Sequence, residues 1–220
     1  MYRIVKRFID VVFALLGLFV LLPVFLLLFL CICLDSKGTP IFRQQRVGRH
    51  GKLFWIYKLR TMNTSAPNSV ATNELSNASA YITRVGNILR KTSLDELPQL
   101  FNILCGDMSL IGPRPLVPNE KDIHELRMAK GAYTVRPGIT GWAQVNGRDC
   151  IDPETKAELD AFYANHHSFL LDSKILLFSV ICVLTARGVR EGSTEFDEDI
   201  DEQTYAENAK NRQKEAKQAS

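Results

Sequence analysis

The sequence predicts a helix-rich, mixed α/β domain that follows an apolar N-terminal membrane segment. Residues Phe8 to Leu34 are almost entirely apolar, with Asp10 as the one charged residue near the start. Short β-branched and aromatic runs after this segment indicate a hairpin, and several later stretches have the apolar spacing of helices. Hydrophobic residues make up 46% of the 220 residues, which is enough for a packed core.

The apolar segment is long enough to cross a bilayer, but two features leave its path open. About 25 residues in a helix cover roughly 37 Å, whereas a hydrocarbon core is about 30 Å thick. Pro23 lies at the centre of the segment, where it removes a backbone hydrogen bond that no water replaces. Basic residues flank both ends, which favours keeping both on the cytoplasmic side. A kinked span and a re-entrant hairpin both satisfy these observations.

After the membrane segment, the pattern predicts a hairpin and then helices separated by two loops rich in glycine and proline. The hairpin strands are Pro40–Phe42 and Leu53–Tyr57. The predicted helices are Ile82–Leu89, Leu97–Leu104, Asn119–Lys130 and Pro153–Tyr163. The two loops are Gly106–Pro118 and Arg136–Arg148. A last apolar stretch, Phe169–Ala186, is either an interfacial helix or a buried core helix, because its uninterrupted part is too short to span.

The charge distribution favours a membrane or a phosphate partner over nucleic acid. Between Arg3 and Arg60 there are ten Lys/Arg residues against Asp10 and Asp35, whereas eight Asp/Glu oppose four Lys/Arg after Gly192. A basic region beside an apolar segment is typical of proteins that bind anionic headgroups or phosphate ligands. The apolar N-terminus argues against nucleic acid. Five scattered cysteines without CxxC spacing fit free thiols in a reducing compartment.

The adjacent carboxylates Asp95 and Glu96 are the strongest chemical signal. Pro98 cannot lie deep in a helix, so a helix is expected to begin near Asp95 with both carboxylates at its positive end. One interpretation is a helix cap, in which Ser93 or Asp95 is the N-cap and Glu96 completes a capping box. The other is a nucleophilic carboxylate beside one that holds a magnesium ion (Mg²⁺). The residues alone leave both interpretations open.

A phosphoryl-transfer site also needs fixed cations, and the sequence offers several. Arg114 lies between two prolines, which restrict the backbone and present the guanidinium from a stiff support. A turn with a solvated arginine is the alternative. Further candidate cations are Lys58, Arg60 and Arg90. The loop Val135–Arg148 either wraps a nucleotide or packs as a structural loop around Trp142.

Four ordered motifs resemble those of the bacterial sugar transferases, specifically the small monotopic polyprenol-phosphate phosphoglycosyl transferases. The motifs are Tyr57–Met62, Ser93–Gln99, Gly106–Pro115 and Arg136–Gly141, and the resemblance extends from about Arg3 to Gly192. It implies that Asp95 attacks the sugar-bearing phosphate of a UDP-sugar and releases UMP, after which undecaprenyl phosphate takes the phosphosugar. The expected donor is a UDP-N-acetylhexosamine or a modified derivative, with hexose-1-phosphate transfer as the alternative.

The resemblance also implies roles for individual residues. Glu96 matches the carboxylate associated with Mg²⁺, so Asp95 and Glu96 are the expected catalytic and metal-binding pair. The positions expected to bind substrate phosphates are Arg114, Arg90, Lys58 and Arg148. Asp160 matches another polar position of the active site. The resemblance further implies that the N-terminal helix breaks at Pro23 and re-enters the cytoplasmic leaflet, although Leu22 stands where family members often have serine.

These expectations divide the chain into a re-entrant membrane anchor (1–36), a cytoplasmic transferase domain (37–192) and a charged acidic tail (193–220). The expected fold is a monotopic membrane protein with interfacial amphipathic helices, and the expected location is the cytoplasmic face of the bacterial inner membrane. The oligomeric state stays open, a homo-oligomer included. Two rival functions remain: a tethered glycosyl transferase that releases UDP, and a non-enzymatic scaffold that binds anionic lipids.

Overall fold

The computed structural model describes residues 2–67, 78–147 and 151–185, and it begins with a long apolar helix, α1 (Tyr2–Asp35). Among the described residues, α1 is the one helix long and apolar enough to cross a membrane. Pro23 lies inside α1, so the predicted interruption of the helix at this residue is not observed. A proline removes a single hydrogen bond, and the flanking turns keep theirs. Re-entry into the leaflet stays a prediction.

The predicted hairpin is confirmed, and its strands are longer than expected. Strand β1 (Ile41–Val47) pairs antiparallel with β2 (Leu53–Leu59). Successive side chains of a strand point to opposite faces. Ile56 is therefore buried against the domain, whereas Trp55 is exposed on the outer face. The same alternation directs Lys58 to the inner face, towards the carboxylates described below.

The remaining described elements are helices and one pair of short strands. In chain order they are α2 (Ala78–Tyr81), α3 (Arg84–Lys91), α4 (Gln99–Cys105), β3 (Ser109–Ile111), α5 (Lys121–Ala129), β4 (Gly138–Thr140), α6 (Trp142–Val145), α7 (Pro153–His166) and α8 (Phe169–Thr185). Single-turn 3₁₀-helices lie at Arg49–Gly51, Leu94–Glu96 and Ala132–Thr134. The helix-rich, mixed α/β prediction is confirmed, and the four predicted helices correspond to α3, α4, α5 and α7. The predicted tail (193–220) lies outside the described residues.

Strands β3 and β4 pair in parallel, although both belong to segments that the sequence predicted as loops. Glycines permit this approach. A Cβ atom at Gly112 would overlap the carbonyl of Arg136, and one at Gly138 would overlap the amide of Gly112. Trp142, in the second of these loops, is fully buried and belongs to a core cluster with Ala143 and Val145 of the same loop, which supports the structural interpretation of the loop. The nucleotide interpretation stays a prediction.

Helix α1 packs against the domain near both of its ends. Ala14 belongs to a buried cluster with Leu100 and Ile103 of α4. Ile32, near the other end, is buried with Leu59 and Leu89. Much of the remaining surface of α1 is apolar and exposed, including Phe8, Phe19 and Leu26. One side of α1 therefore covers the domain, and its other side has no cover within the described chain.

Polar contacts strengthen both attachments of α1. Asp10 accepts hydrogen bonds from the Ser109 hydroxyl at 2.8 Å and from the Leu110 amide at 3.1 Å. At the other end, Asp35 accepts one from the Val85 amide at 3.1 Å. Buried or half-buried polar groups of this kind are costly to separate, because each would lose its partner. The two ends of the helix are thus held by the same domain.

Helix α8 satisfies both interpretations of the last apolar stretch. Leu171 and Ile175 are buried in the core around Trp142. Leu170 and Leu177, on the other side, are 78% and 62% exposed. A helix with one apolar face in the core and another uncovered has the pattern expected at a membrane interface.

Candidate active site

Four of the side chains predicted from the motifs come together between β2, the turn before α4 and the loop after β3. The Lys58 ammonium lies 2.7 Å from Glu96 Oε1 and 3.8 Å from Asp95 Oδ2. The Arg114 guanidinium lies 3.1 Å from the same Glu96 oxygen. Two cations therefore converge on the Glu96 carboxylate. Among the described ion pairs, the neighbouring Asp95 carboxylate has Lys58 alone as a partner, at the longer distance of 3.8 Å. We call these four residues the carboxylate site.

The two carboxylates lie in the 3₁₀-turn Leu94–Glu96. The helix that the sequence predicted to begin near Asp95 begins after this turn. Helix α4 begins at Gln99, with Pro98 as its N-cap. Ser93 has a left-handed backbone (φ 56°) and makes no side-chain cap. The capping-box interpretation is therefore wrong for Ser93. A turn that projects adjacent carboxylates towards Lys58, without using them as caps, leaves both available for chemistry.

Burial and charge together shift the pKa values of Asp95 and Glu96 in the carboxylate site in opposite directions. Burial raises the pKa of Asp95, and Glu96 adds to this rise, while Lys58 and then Arg114 and Arg90 oppose it. Burial also disfavours the charged form of Glu96, but Lys58 and Arg114 together lower its pKa to about 2. Glu96 is thus a permanent anion that holds the two cations, and Asp95 is the more easily protonated of the pair.

Arg114 is supported by two other arginines that the sequence interpretation missed. Arg127 donates a hydrogen bond to the Arg114 carbonyl at 2.8 Å. Arg46 donates to the Pro115 carbonyl at 3.3 Å and to Gln44 Oε1 at 2.6 Å. Burial, followed by the like charge of Arg114, lowers the pKa of Arg46 to about 10. The Pro-Arg-Pro segment is therefore held through its backbone carbonyls at Arg114 and Pro115, beside the Arg114 guanidinium.

Asp160 lies behind this loop, paired with Arg127. The two side chains form a close ion pair, each 1% exposed, between α5 and α7. Burial raises the pKa of Asp160, and the charge of Arg127 opposes that rise. Asp160 thus contacts the residue that supports Arg114, and no described contact joins it to the carboxylate site. Only chain folding brings residues 33 positions apart together, and no spacing in the sequence signals the pair.

The other predicted cations have different placements. Arg90, in the last turn of α3, is close enough to lower the pKa of Asp95 but forms no ion pair among the described residues. The guanidinium of Arg60 donates to the carbonyls of Ser36 and Lys37, so it fastens the end of α1. Arg148 lies outside the described residues, and its predicted role stays a prediction.

Comparison with known families agrees with the motifs and the geometry. Residues 1–186 match the family model of the bacterial sugar transferases. The chain belongs to the bacterial sugar transferase family. This confirms the family that the motifs predicted and, with it, the class of enzyme.

Members of this family with similar sequences come from several bacteria. The chain is 44% identical to an uncharacterized sugar transferase, EpsL, of Bacillus subtilis, over 70% of this chain and 75% of that protein. It is 40% identical to the UDP-glucose:undecaprenyl-phosphate glucose-1-phosphate transferase of Escherichia coli, over 81% of this chain and 40% of that protein. It is 38% identical to the UDP-N-acetylgalactosamine-undecaprenyl-phosphate N-acetylgalactosaminephosphotransferase of Aeromonas hydrophila, over 86% of this chain and 46% of that protein. The chain therefore spans less than half of the last two.

The donor set of the carboxylate site fits the magnesium ion expected for this transferase. Among the described residues no group of three or more His, Cys, Asp or Glu side chains forms a metal cluster. Mg²⁺ bound with a phosphate substrate takes only one or two protein carboxylates, and keeps waters and phosphate oxygens as its other ligands. Asp95 and Glu96 supply two carboxylates, and their side chains are each 13% exposed, so both stay partly accessible to solvent.

Proposed function

We propose that this bacterial sugar transferase moves a sugar-1-phosphate from a UDP-sugar to undecaprenyl phosphate and releases UMP. The observation that carries the proposal is the carboxylate site, in which Glu96 is paired with both cations and Asp95 lies beside them. Relatives of this chain are named for sugar-phosphate transfer to undecaprenyl phosphate, with glucose and N-acetylgalactosamine among their sugars. A UDP-N-acetylhexosamine or a modified derivative is our proposed donor.

In the first step, an oxygen of the Asp95 carboxylate forms a bond to the sugar-bearing phosphorus of the donor. The bond from that phosphorus to the bridging oxygen breaks, and UMP leaves with the electron pair. A phosphosugar then remains on Asp95 as an acyl phosphate. Lys58 and Arg114, which both pair with Glu96, would contact the negative oxygens of the transferred group and so lower the barrier to attack by an anion.

In the second step, an oxygen of undecaprenyl phosphate attacks the same phosphorus, and the bond to Asp95 breaks. The lipid diphosphosugar forms, and Asp95 returns as a carboxylate. Because Glu96 stays ionised, it continues to orient Lys58 and Arg114 through both steps. Arg127 and Arg46 keep the Arg114 backbone in place.

Asp95 and Glu96 would hold Mg²⁺ in this proposal. The bound ion supplies positive charge that screens the phosphates, so that a carboxylate approaches them at lower cost. The protein side chains bind, orient and carry out the covalent step.

The same proposal includes a location at the cytoplasmic face of the inner membrane, with α1 re-entering the leaflet. A straight helix of this length would extend about 51 Å, yet the domain holds α1 near both ends. The attachments at Asp10 and Asp35 support a helix that returns to the domain side over one that crosses the bilayer. The uncovered apolar side of α1 and the exposed face of α8 support contact with lipid.

The test is UMP release by the purified, detergent-solubilised chain with Mg²⁺, undecaprenyl phosphate and a panel of UDP-sugars. We expect UMP from one donor class, and its loss in Asp95→Asn by about a thousandfold or more. UDP in place of UMP would favour a tethered glycosyl transferase. An Asp95→Asn variant with full activity would remove Asp95 as the nucleophile.

A further inference from the structure

A cavity of about 70 Å³ opens beside the N-terminal end of α1, and none of the four residues of the carboxylate site lines it. Its charged lining residues are Arg3, Lys6, Arg7, Arg49, Arg136 and Asp10. We call this cavity the basic pocket. Five cations around one carboxylate make it a strongly positive part of the described surface, and the proposed transfer reaction uses none of them.

The positive charge of the basic pocket is largely unmatched. Lys6 is balanced, because its ammonium lies 2.7 Å from Asp172 and 3.8 Å from Asp10. The four arginines contact neutral groups instead. Within the part of the chain that the structure describes, none of these four forms an ion pair with a carboxylate.

Part of this arrangement has a structural purpose. Arg7 donates to the carbonyls of Ile103 and Leu104 at the end of α4, and Arg136 donates to that of Gly106. Cations at a helix C-terminus satisfy its unpaired carbonyls and its dipole. This accounts for Arg7 and for one donor of Arg136.

In the described contacts, Arg3 and Arg49 do not bind the carbonyls at the end of α4. Arg49 donates through Nε to the Thr134 carbonyl at 3.0 Å, and Arg3 donates through Nε to His167 at 3.3 Å. A guanidinium has five N–H donors, so each of these contacts engages a small share of its capacity. Burial, followed by the like charges of Arg136 and Arg3, lowers the pKa of Arg49. The guanidinium groups are thus close enough to repel one another, and an anion between them would relieve this repulsion.

The pocket lies beside apolar surface that would contact lipid. Arg3, Lys6 and Arg7 share one face of α1, as residues spaced by three and four do in a helix. Ile4 and Phe8, on another face, are 78% and 70% exposed. His167 lines the pocket and precedes the exposed start of α8. A cationic cavity next to an apolar rim lies at the depth of lipid headgroups when that rim enters a leaflet.

We propose that the basic pocket binds the phosphate group of an anionic membrane lipid, at a site separate from the transfer reaction. Arginine forks bind phosphate oxygens through paired, charge-assisted hydrogen bonds. One water needs about 10–15 Å³ of such a cavity, so the volume is sufficient for the oxygens of one phosphate group. A lipid held there would fix the first turns of α1 at the membrane surface.

The experiment titrates the full chain in detergent with dioctanoyl phosphatidylglycerol, with native mass spectrometry as the readout of bound lipid. Dioctanoyl phosphatidylcholine and inorganic phosphate are titrated in parallel. The pocket variant is Arg3→Gln/Arg49→Gln, which leaves both cations at the end of α4. The matched control is Arg43→Gln/Lys91→Gln, which removes the same charge at two exposed positions outside the pocket.

We expect the wild-type chain and the control to bind one phosphatidylglycerol with equal affinity, and phosphatidylcholine more weakly. The pocket variant should bind phosphatidylglycerol about ten- to thirtyfold more weakly, because each arginine beside an anionic headgroup raises the affinity by about fivefold. Equal affinity of the pocket variant and the control, at equal thermal midpoints, would overturn the site. If the pocket bound inorganic phosphate in preference to the lipid, and the pocket variant lost this binding, the claim that the bound phosphate group belongs to a membrane lipid would be wrong.

This binding is measured without a sugar donor, so it does not depend on the proposed transfer. A chain that binds lipid in the pocket but releases no UMP would leave this inference standing and remove the proposed function. A chain that releases UMP but shows no pocket-dependent lipid binding would do the reverse.

Discussion

Asp95 and Asp160 are both paired with basic side chains, but the two pairs lie in different surroundings. Asp95 is 3.8 Å from Lys58 and keeps an opening to solvent. Asp160 contacts Arg127 closely in a fully buried position. Solvent reaches the first pair, whose side chains are 18% and 13% exposed, and is excluded from the second, whose side chains are each 1% exposed. The comparison teaches that accessibility, more than residue type, separates a charge pair that is available to a ligand from one that supports the fold.

Asp160→Asn is the substitution with the largest expected effect on stability. It would leave the buried charge of Arg127 without its partner, which lowers the free energy of unfolding by about 3–5 kcal/mol. Asp95→Asn should change that quantity by less than about 1 kcal/mol, because Lys58 keeps Glu96 as its nearer partner, at 2.7 Å, and so is not left as an unpaired charge. Chemical denaturation of the detergent-solubilised variants measures both. Equal losses of unfolding free energy in Asp160→Asn and Asp95→Asn would contradict the proposed difference between the buried pair and the partly exposed pair.

Arg114→Gln should lower kcat/KM for UMP release by about a hundredfold, because it removes one positioned donor from the transferring phosphate. The thermal midpoint should change little, since Arg127 and Arg46 contact backbone carbonyls at this loop that the substitution retains. Arg43→Gln, on the exposed face of the hairpin, is the control and should keep full activity. A large fall in the thermal midpoint of Arg114→Gln would assign Arg114 a structural role.

Lys58→Gln should shift the acidic limb of the pH profile of kcat/KM to higher pH. The nucleophile must be a carboxylate, and the positive charge of Lys58 lowers the pKa of Asp95. Without that charge the pKa of Asp95 rises, so activity is lost at a higher pH as the solution is acidified. Initial rates of UMP release between pH 5 and 9 measure the shift. A limb that stays in place would mean that another group controls it.

Lys130→Gln should have the smallest effect and provides a matched control for the buried pair. Lys130, the C-cap residue of α5, pairs with Glu158 of α7 at 3.1 Å, but the two side chains are 31% and 51% exposed. An exposed pair of this kind contributes about 0–1 kcal/mol. A loss comparable to that of Asp160→Asn, in the same denaturation experiment, would show that burial does not separate the two pairs.

Local patterns predicted much of the fold and part of the site. The hairpin and four helices followed from apolar spacing and turn residues, which act within a few positions of one another. The adjacent pair Asp95 and Glu96, and Arg114 between its prolines, were recognisable for the same reason. The pairing of β3 with β4 was missed, because it depends on the close approach of Gly112 and Gly138 across distant segments.

The sequence by itself determined the apolar segment, the order of the elements, and the carboxylates and cations available for phosphoryl transfer. Only the tertiary structure decided which of those charges meet. It brought Lys58 and Arg114 to Glu96, placed Asp160 behind Arg114 with Arg127, and used Arg60 to fasten α1. The physical reason is that burial and distance control the energy of a charge, and both are set by contacts between residues far apart in the chain.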